Sequence, residues 1–78
     1  MKDLSTLDAL RPGQRALVLA LRGTGAMRRR LLDIGLIENT LVECLGVSPG
    51  GDPAAYGIRG AVIALRREDS RDISVQII

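Results

Sequence analysis

The chain has no histidine, no phenylalanine and no tryptophan, and only one cysteine, one lysine and one tyrosine among its 78 residues. Each shortage closes off a class of function. Without histidine, the commonest general base and the histidine-containing catalytic triads are missing. Ser48 and Ser70 have no evident activating base in the sequence. With no histidine and no second cysteine, a tetrahedral nitrogen/sulfur metal site cannot be built within one chain. A single cysteine also excludes an intramolecular disulfide. The near-absence of aromatics removes the platform on which RNA-binding small barrels stack bases, and the groove that binders of Pro-rich peptides need. No glycine-rich loop leads into a phosphate-binding sequence, so Gly23-Thr24-Gly25 and Gly50-Gly51 read as turns. No apolar run approaches the ~20 residues needed to cross a bilayer, and no signal-peptide pattern opens the chain. These absences predict a cytoplasmic, non-enzymatic protein with no cofactor, no nucleic-acid partner and no membrane insertion.

What remains is aliphatic. The hydrophobic fraction is 46%, mostly Leu, Ile, Val and Ala, and the 11 basic residues exceed the 9 acidic ones by only 2. At this length the expectation is a single domain over residues 1–78, near the lower limit for one self-sufficient core. The cations are nearly all arginine, which makes planar contacts to carboxylates and suits protein surfaces.

Periodicity gives the element order. Leu4, Leu7 and Leu10 are three apart and predict a short helical turn, ended by Pro12-Gly13. Residues 15–22 alternate as a strand, with Leu17, Leu19 and Leu21 expected inside and Ala16, Val18 and Ala20 outside. A helix follows over residues 25–36, with Thr24 as its N-cap and Gly35 as the left-handed residue that stops it. Residues 40–47 form a second strand with Leu41, Leu45 and Val47 on one face. Gly51, Asp52 and Pro53 make a turn. Residues 54–58 and 61–66 form a hairpin about Arg59-Gly60. A polar helical turn spans 67–72, and Ile73, Val75 and Ile77 alternate as a closing strand. About five short strands with one helix between the first and second leave no room for parallel crossovers, so a small, mainly β, antiparallel barrel is expected.

The helix concentrates the candidate functional residues. Met27, Leu31 and Ile34 line one face at i, i+4 and i+7. Arg28, Arg29 and Arg30 span about 200° at 100° per residue, so they cannot share one narrow face. The arginines read either as a docking edge for an acidic partner or as solubilising charge on an apolar helix. Leu32 lies off the stripe beside them, a plausible protein contact. Cys44, inside a strand, reads as a buried thiol. Glu68, Asp69 and Asp72 read as a solvated turn; only across a homodimer could they, or Cys44, converge on a metal. The aliphatic strand ending at Ile77-Ile78 offers an edge for such a homodimer.

The ordered set Leu7-Asp8-Ala9-Leu10-Arg11-Pro12-Gly13, Arg30-Leu31-Leu32-Asp33-Ile34-Gly35-Leu36, Gly51-Asp52-Pro53, Arg59-Gly60 and Ile63-Ala64-Leu65-Arg66-Arg67 resembles the FeoA family over about residues 7–75. Glu38-Asn39 stands where the family usually has Pro-Gly, and Asn tolerates the left-handed geometry such a turn needs. Ser70 stands where the family often has Ala. The resemblance implies an SH3-like barrel and an accessory role in bacterial ferrous iron uptake, beside the membrane GTPase-transporter FeoB. It implies contact with the cytoplasmic part of FeoB. On the grounds above, Met27, Arg28, Arg29, Arg30, Leu31 and Leu32 are the contact candidates, and Gly35, Gly51, Asp52, Pro53 and Gly60 the structural turns. No metal ligand is assigned. The alternative is a stand-alone regulatory or transition-metal-binding module, because the family also resembles the C-terminal domains of metal-dependent repressors.

Overall fold

The computed structural model describes residues 3–78. It contains strands β1 (Asp3–Thr6), β2 (Arg15–Leu21), β3 (Leu41–Val47), β4 (Ala54–Ile58), β5 (Ala61–Leu65) and β6 (Ile73–Ile77). Helix α1 (Ala26–Asp33) joins β2 to β3, and the one-turn helix α2 (Arg67–Ser70) joins β5 to β6. All pairings are antiparallel, in the order β1-β6-β2-β3-β4-β5. The strongly curved sheet wraps one aliphatic core and makes a small SH3-like barrel that hydrogen bonding does not close.

The architecture matches the expected mainly β fold, with one strand more. Asp3–Thr6 pair with Ser74–Ile77, and only Leu7–Ala9 form a 3-10 turn. Leu7 and Leu10 enter the core from that turn, whereas Leu4 is exposed. The threefold leucine spacing therefore spans a strand and a turn. The addition of β1 also moves β6 to the interior of the sheet, between β1 and β2. Ile77 is paired on both sides, with Asp3 and with Ala16, so β6 has no free edge for a second copy.

The inner faces of β2 and β3 are the reverse of those expected, and each strand carries a bulge. In β2, Ala16 and Val18 are fully buried and Leu17 and Leu19 are only half-buried. The register against β6 slips between Val18 and Ala20, after which Leu21 turns toward the core. In β3, Val42 and Cys44 point inward, while Leu41, Leu45 and Val47 are exposed. The register against β4 slips between Cys44 and Gly46, making Leu45 the extra residue. The core so formed is almost wholly aliphatic and centres on Leu7, Val18, Leu36, Val42, Ile58, Ile73 and Val75 around Tyr56. Full burial of each such side chain contributes roughly 1.5–3 kcal/mol.

Tyr56, the lone aromatic, stands opposite Cys44 across β3 and β4. Its hydroxyl donates to the Leu7 carbonyl at 3.4 Å, a long bond. Burial pushes the phenol pKa upward, opposed by hydrogen bonding with Ser70. Burial also pushes the Cys44 thiol up, which holds it in the neutral form that packs as a small apolar group.

Candidate partner-docking site

Helix α1 is fixed at both ends by backbone geometry. Its N-cap is Gly25, at φ 81°, with no side-chain cap. Thr24, the expected cap, lies one residue too early, because glycine rather than threonine takes the positive φ that enters the helix. At the other end Gly35 has φ 94°. The Leu36 N–H donates to the Leu31 carbonyl at 2.9 Å and the Gly35 N–H to the Leu32 carbonyl at 3.0 Å. These two bonds form a Schellman motif. They carry Leu36 directly into the core, where it is fully buried.

The Gly35 carbonyl is a three-way junction. It accepts from the Ile37 N–H at 2.9 Å, the Thr40 hydroxyl at 3.0 Å and the Arg59 Nε–H at 3.0 Å. Arg59 and Gly60 have φ 50° and 82° and form the two-residue turn of the β4–β5 hairpin, so the helix end is clamped to that hairpin. The turn after the helix uses Asn39 at φ 71°. The Asn39 N–H donates to the Val18 carbonyl at 2.7 Å, and the Val18 N–H returns to the Thr40 carbonyl at 2.9 Å. Glu38-Asn39 thus completes the turn with asparagine in the position that demands positive φ.

The helix divides its side chains sharply. Leu31 is only 5% exposed and Met27 packs half-buried against the core. Leu31 is therefore chiefly a core residue, with little surface left to offer a partner. Arg28, Arg29 and Arg30 all face solvent, as does Leu32 at 36% exposure. Ile34, expected in the buried stripe, is 42% exposed because the Schellman turn substitutes Leu36 for it in the core. Ile37, which the sequence does not single out, is 46% exposed. Leu32 lies in a cleft beside Arg28 and Arg29, whereas Ile34 lies in another with Met27 and Arg30, so exposed apolar side chains flank the arginines on two sides of the helix. Their signal in the sequence was the excess of apolar residues after Leu31 over what one stripe can bury.

The structural turns hold the other end of the barrel. Gly51 has φ 89°, and the Asp52–Pro53 peptide is cis. The Asp52 carboxylate accepts the Arg67 N–H at 3.0 Å. It thereby satisfies one of the free donors that open α2. Asp69 and Asp72 line a cleft of about 170 Å³ with Thr24, Met27 and Arg28, whereas Glu68 does not. Among the described residues no three His, Cys, Asp or Glu side chains converge as a metal site.

Comparison with known proteins agrees with this architecture. A protein from Porphyromonas gingivalis, described as a fusion of Fe(2+) transport protein A with the Fe(2+) transporter FeoB, is 32% identical over 72 residues. That alignment takes in 92% of this chain but 8% of the fusion protein. The solution structure of FeoA from Chlorobium tepidum superposes with a TM-score of 0.88 at 34% identity, covering 94% of this chain and 70% of that one. The zinc complex of Stenotrophomonas maltophilia FeoA, described as a prokaryotic SH3 domain protein, superposes with a TM-score of 0.81 at 26% identity, over 90% of this chain and 87% of that one. The FeoA domain model matches residues 5–77, which takes in every strand but the first two residues of β1. With the fold, the helix stop and the hairpin clamp all in place, the chain belongs to the FeoA domain family.

Proposed function

We propose that this chain is a non-enzymatic accessory protein of bacterial ferrous iron uptake, and that it binds the cytoplasmic part of a FeoB-type GTPase-transporter to assist or regulate transport. The observation that carries this reading is the relative in which a matching sequence is fused to FeoB. A covalent link raises the effective concentration of two modules into the millimolar range, so fusion favours pairs that work in contact.

The docking face is the outer surface of α1. Arg28, Arg29 and Arg30 supply positive charge, Leu32 supplies an apolar centre, and Met27 contributes its half-exposed flank. An apolar centre with a charged rim is the ordinary anatomy of a protein interface, and arginine is enriched at the residues that dominate binding energy. A cytoplasmic location follows from this partner. No helix among the described residues is long and apolar enough to cross a membrane.

A non-catalytic role is supported by the fate of the polar side chains. Ser70 and Tyr56 are buried and engaged in the core, and the Cys44 thiol is held neutral. The alternative reading, a stand-alone metal-responsive module, draws on the zinc-bound relative. It is separated from the first by one experiment. The isolated cytoplasmic part of FeoB is titrated with this chain by calorimetry, with and without Fe(II). Saturable binding in the absence of metal supports the docking role. Absence of binding to FeoB, combined with tight stoichiometric Fe(II) uptake by this chain alone, supports the alternative.

A further inference from the structure

We propose that β5 is a strand-addition site, which takes an extended peptide segment of alternating acidic and apolar residues from a partner protein. The site starts from the edge of the sheet; its groove borrows Met27 and Arg30 from α1 and Ile34 from its C-cap, so the two sites adjoin.

The sheet has two edges, β1 and β5. Edge strands are ordinarily guarded by shortness, charge, proline or a bulge, because their free N–H and C=O groups recruit other strands. β1 is guarded: it has four residues, includes Asp3, and gives way at once to a 3-10 turn. β5 carries none of these devices. Ala61-Val62-Ile63-Ala64-Leu65 is uncharged, free of proline, and pairs with β4 without a slip.

The hairpin fixes which groups are free. Ile58 and Ala61 close a two-residue turn, so Ile58↔Ala61, Tyr56↔Ile63 and Ala54↔Leu65 are the hydrogen-bonded pairs. The backbone groups of Val62 and Ala64 therefore point away from β4. Neither residue bonds to any other segment among the described residues, and both are exposed, Val62 by 68%. Two donors and two acceptors stand at the spacing that an antiparallel strand needs.

The surroundings specify the guest. A groove of about 110 Å³ runs beside β5 between it and α1, lined by Met27, Leu31, Ile34, Ile63 and Leu65, with Arg30 at its rim. It would take one apolar side chain of the added strand. Arg30 across the groove, Arg59 in the turn before β5 and Arg66 just after it put positive charge along this edge, all three exposed, while Asp52, an acid lining the cleft at the Leu65 end, is engaged by the Arg67 N–H. A basic frame about an uncharged edge selects a segment with acids alternating with apolar residues. In strand addition the main chain supplies affinity and the pockets for alternate side chains supply specificity.

The test uses the full chain and an array of immobilised hexapeptides that alternate Asp or Glu with Val, Ile or Leu, beside a matched array with Lys for the acids. The acidic array is expected to bind at least tenfold more strongly. Saturation with the best peptide should slow amide exchange at Val62 and Ala64 at least tenfold. Val62→Pro and Ala64→Pro delete an outward-facing N–H, a change that edge strands tolerate, and each should lose binding at least tenfold with the fold kept. Arg30→Glu, which leaves the β5 backbone intact, should weaken the acidic peptides and strengthen the lysine set. The proposal is overturned if no acidic peptide alters exchange at Val62 and Ala64. It is also overturned if those amides become protected in the protein alone as concentration rises, which would make the occupant a second copy of the chain.

Discussion

Arg59 lies across Gly35, with its Nε–H donating to the Gly35 carbonyl at 3.0 Å and its Cδ and Nε each 2.7 Å from where a Cβ on Gly35 would sit. The contact joins the last turn of α1 to the β4–β5 hairpin, 24 residues later. It requires glycine twice over, for a positive φ and for the space the guanidinium stem fills.

Gly35→Ala should therefore cost more than the backbone penalty alone. Left-handed geometry for a residue with a Cβ costs about 1–2 kcal/mol, and displacement of Arg59 adds to it. Thermal denaturation of Gly35→Ala, Arg59→Ala and the double variant separates the two. The double variant should be more stable than the sum of the single effects implies, because truncating Arg59 frees the space the new methyl needs. Strict additivity would mean that Arg59 does not constrain Gly35.

Asp52 acts at a distance in sequence as the cap of α2. Asp52→Ala leaves the Arg67 N–H without its acceptor and should destabilise the protein by about 1 kcal/mol, the typical loss for a helix cap. Asp52→Asn keeps an oxygen acceptor and should recover most of that loss. The measurement is the midpoint of chemical denaturation for the three proteins. Equal stability of all three would remove Asp52 from this role.

Much of this arrangement was legible in the sequence, and the reasons for the exceptions are physical. Gly35 and Arg59-Gly60 were recognisable because positive φ is a local demand that few residues meet. The closing strand was legible because Ile73, Val75 and Ile77 alternate without interruption. The inner faces of β2 and β3 were not, because both faces of each strand are largely apolar. The smaller side chains Ala16, Val18, Val42 and Cys44 fill the core while the leucines beside them stay outside, with a slip in each strand breaking the alternation. Nothing in Leu17-Val18-Leu19 or Cys44-Leu45-Gly46 marks the slip, since all the residues involved are apolar or small. β1 was hidden for a different reason: four residues cannot display a period, and their pairing partner lies at the opposite end of the chain. In the candidate site, the arginines and Leu32 were correctly placed at the surface, while Ile34 exchanged roles with Leu36 through the Schellman turn.

The buried pair Cys44 and Tyr56 should set the alkaline limit of stability. Both pKa values are raised on folding, chiefly by burial, from 9.0 and 10.0 respectively. The unfolded chain then releases these protons at lower pH than the folded chain. Their contribution is complete below the unfolded values and declines as pH rises toward the folded ones. Stability should fall above about pH 9, first through Cys44 and then through Tyr56. Cys44→Ala should blunt the earlier phase and Tyr56→Phe the later one, measured as the denaturation midpoint from pH 7 to 11. An alkaline decline identical in both variants and the parent would place its cause elsewhere.

The docking face can be separated from the fold because α1 segregates the two roles. Leu31→Ala removes a core side chain and should cost about 2–5 kcal/mol, as buried leucine truncations do. Any loss of partner binding in that variant reports unfolding as much as contact. Arg28→Glu combined with Leu32→Ala changes only exposed positions, where substitutions ordinarily shift stability by no more than about 0.5 kcal/mol. That double variant should keep its melting temperature and still weaken association with the cytoplasmic part of FeoB at least tenfold. Reversing one guanidinium should also lessen the salt dependence of the association rate, since charges at an interface rim act mainly on encounter. The two effects together identify an electrostatically steered contact on α1. Unchanged affinity in the folded double variant would remove this helix face from the interface.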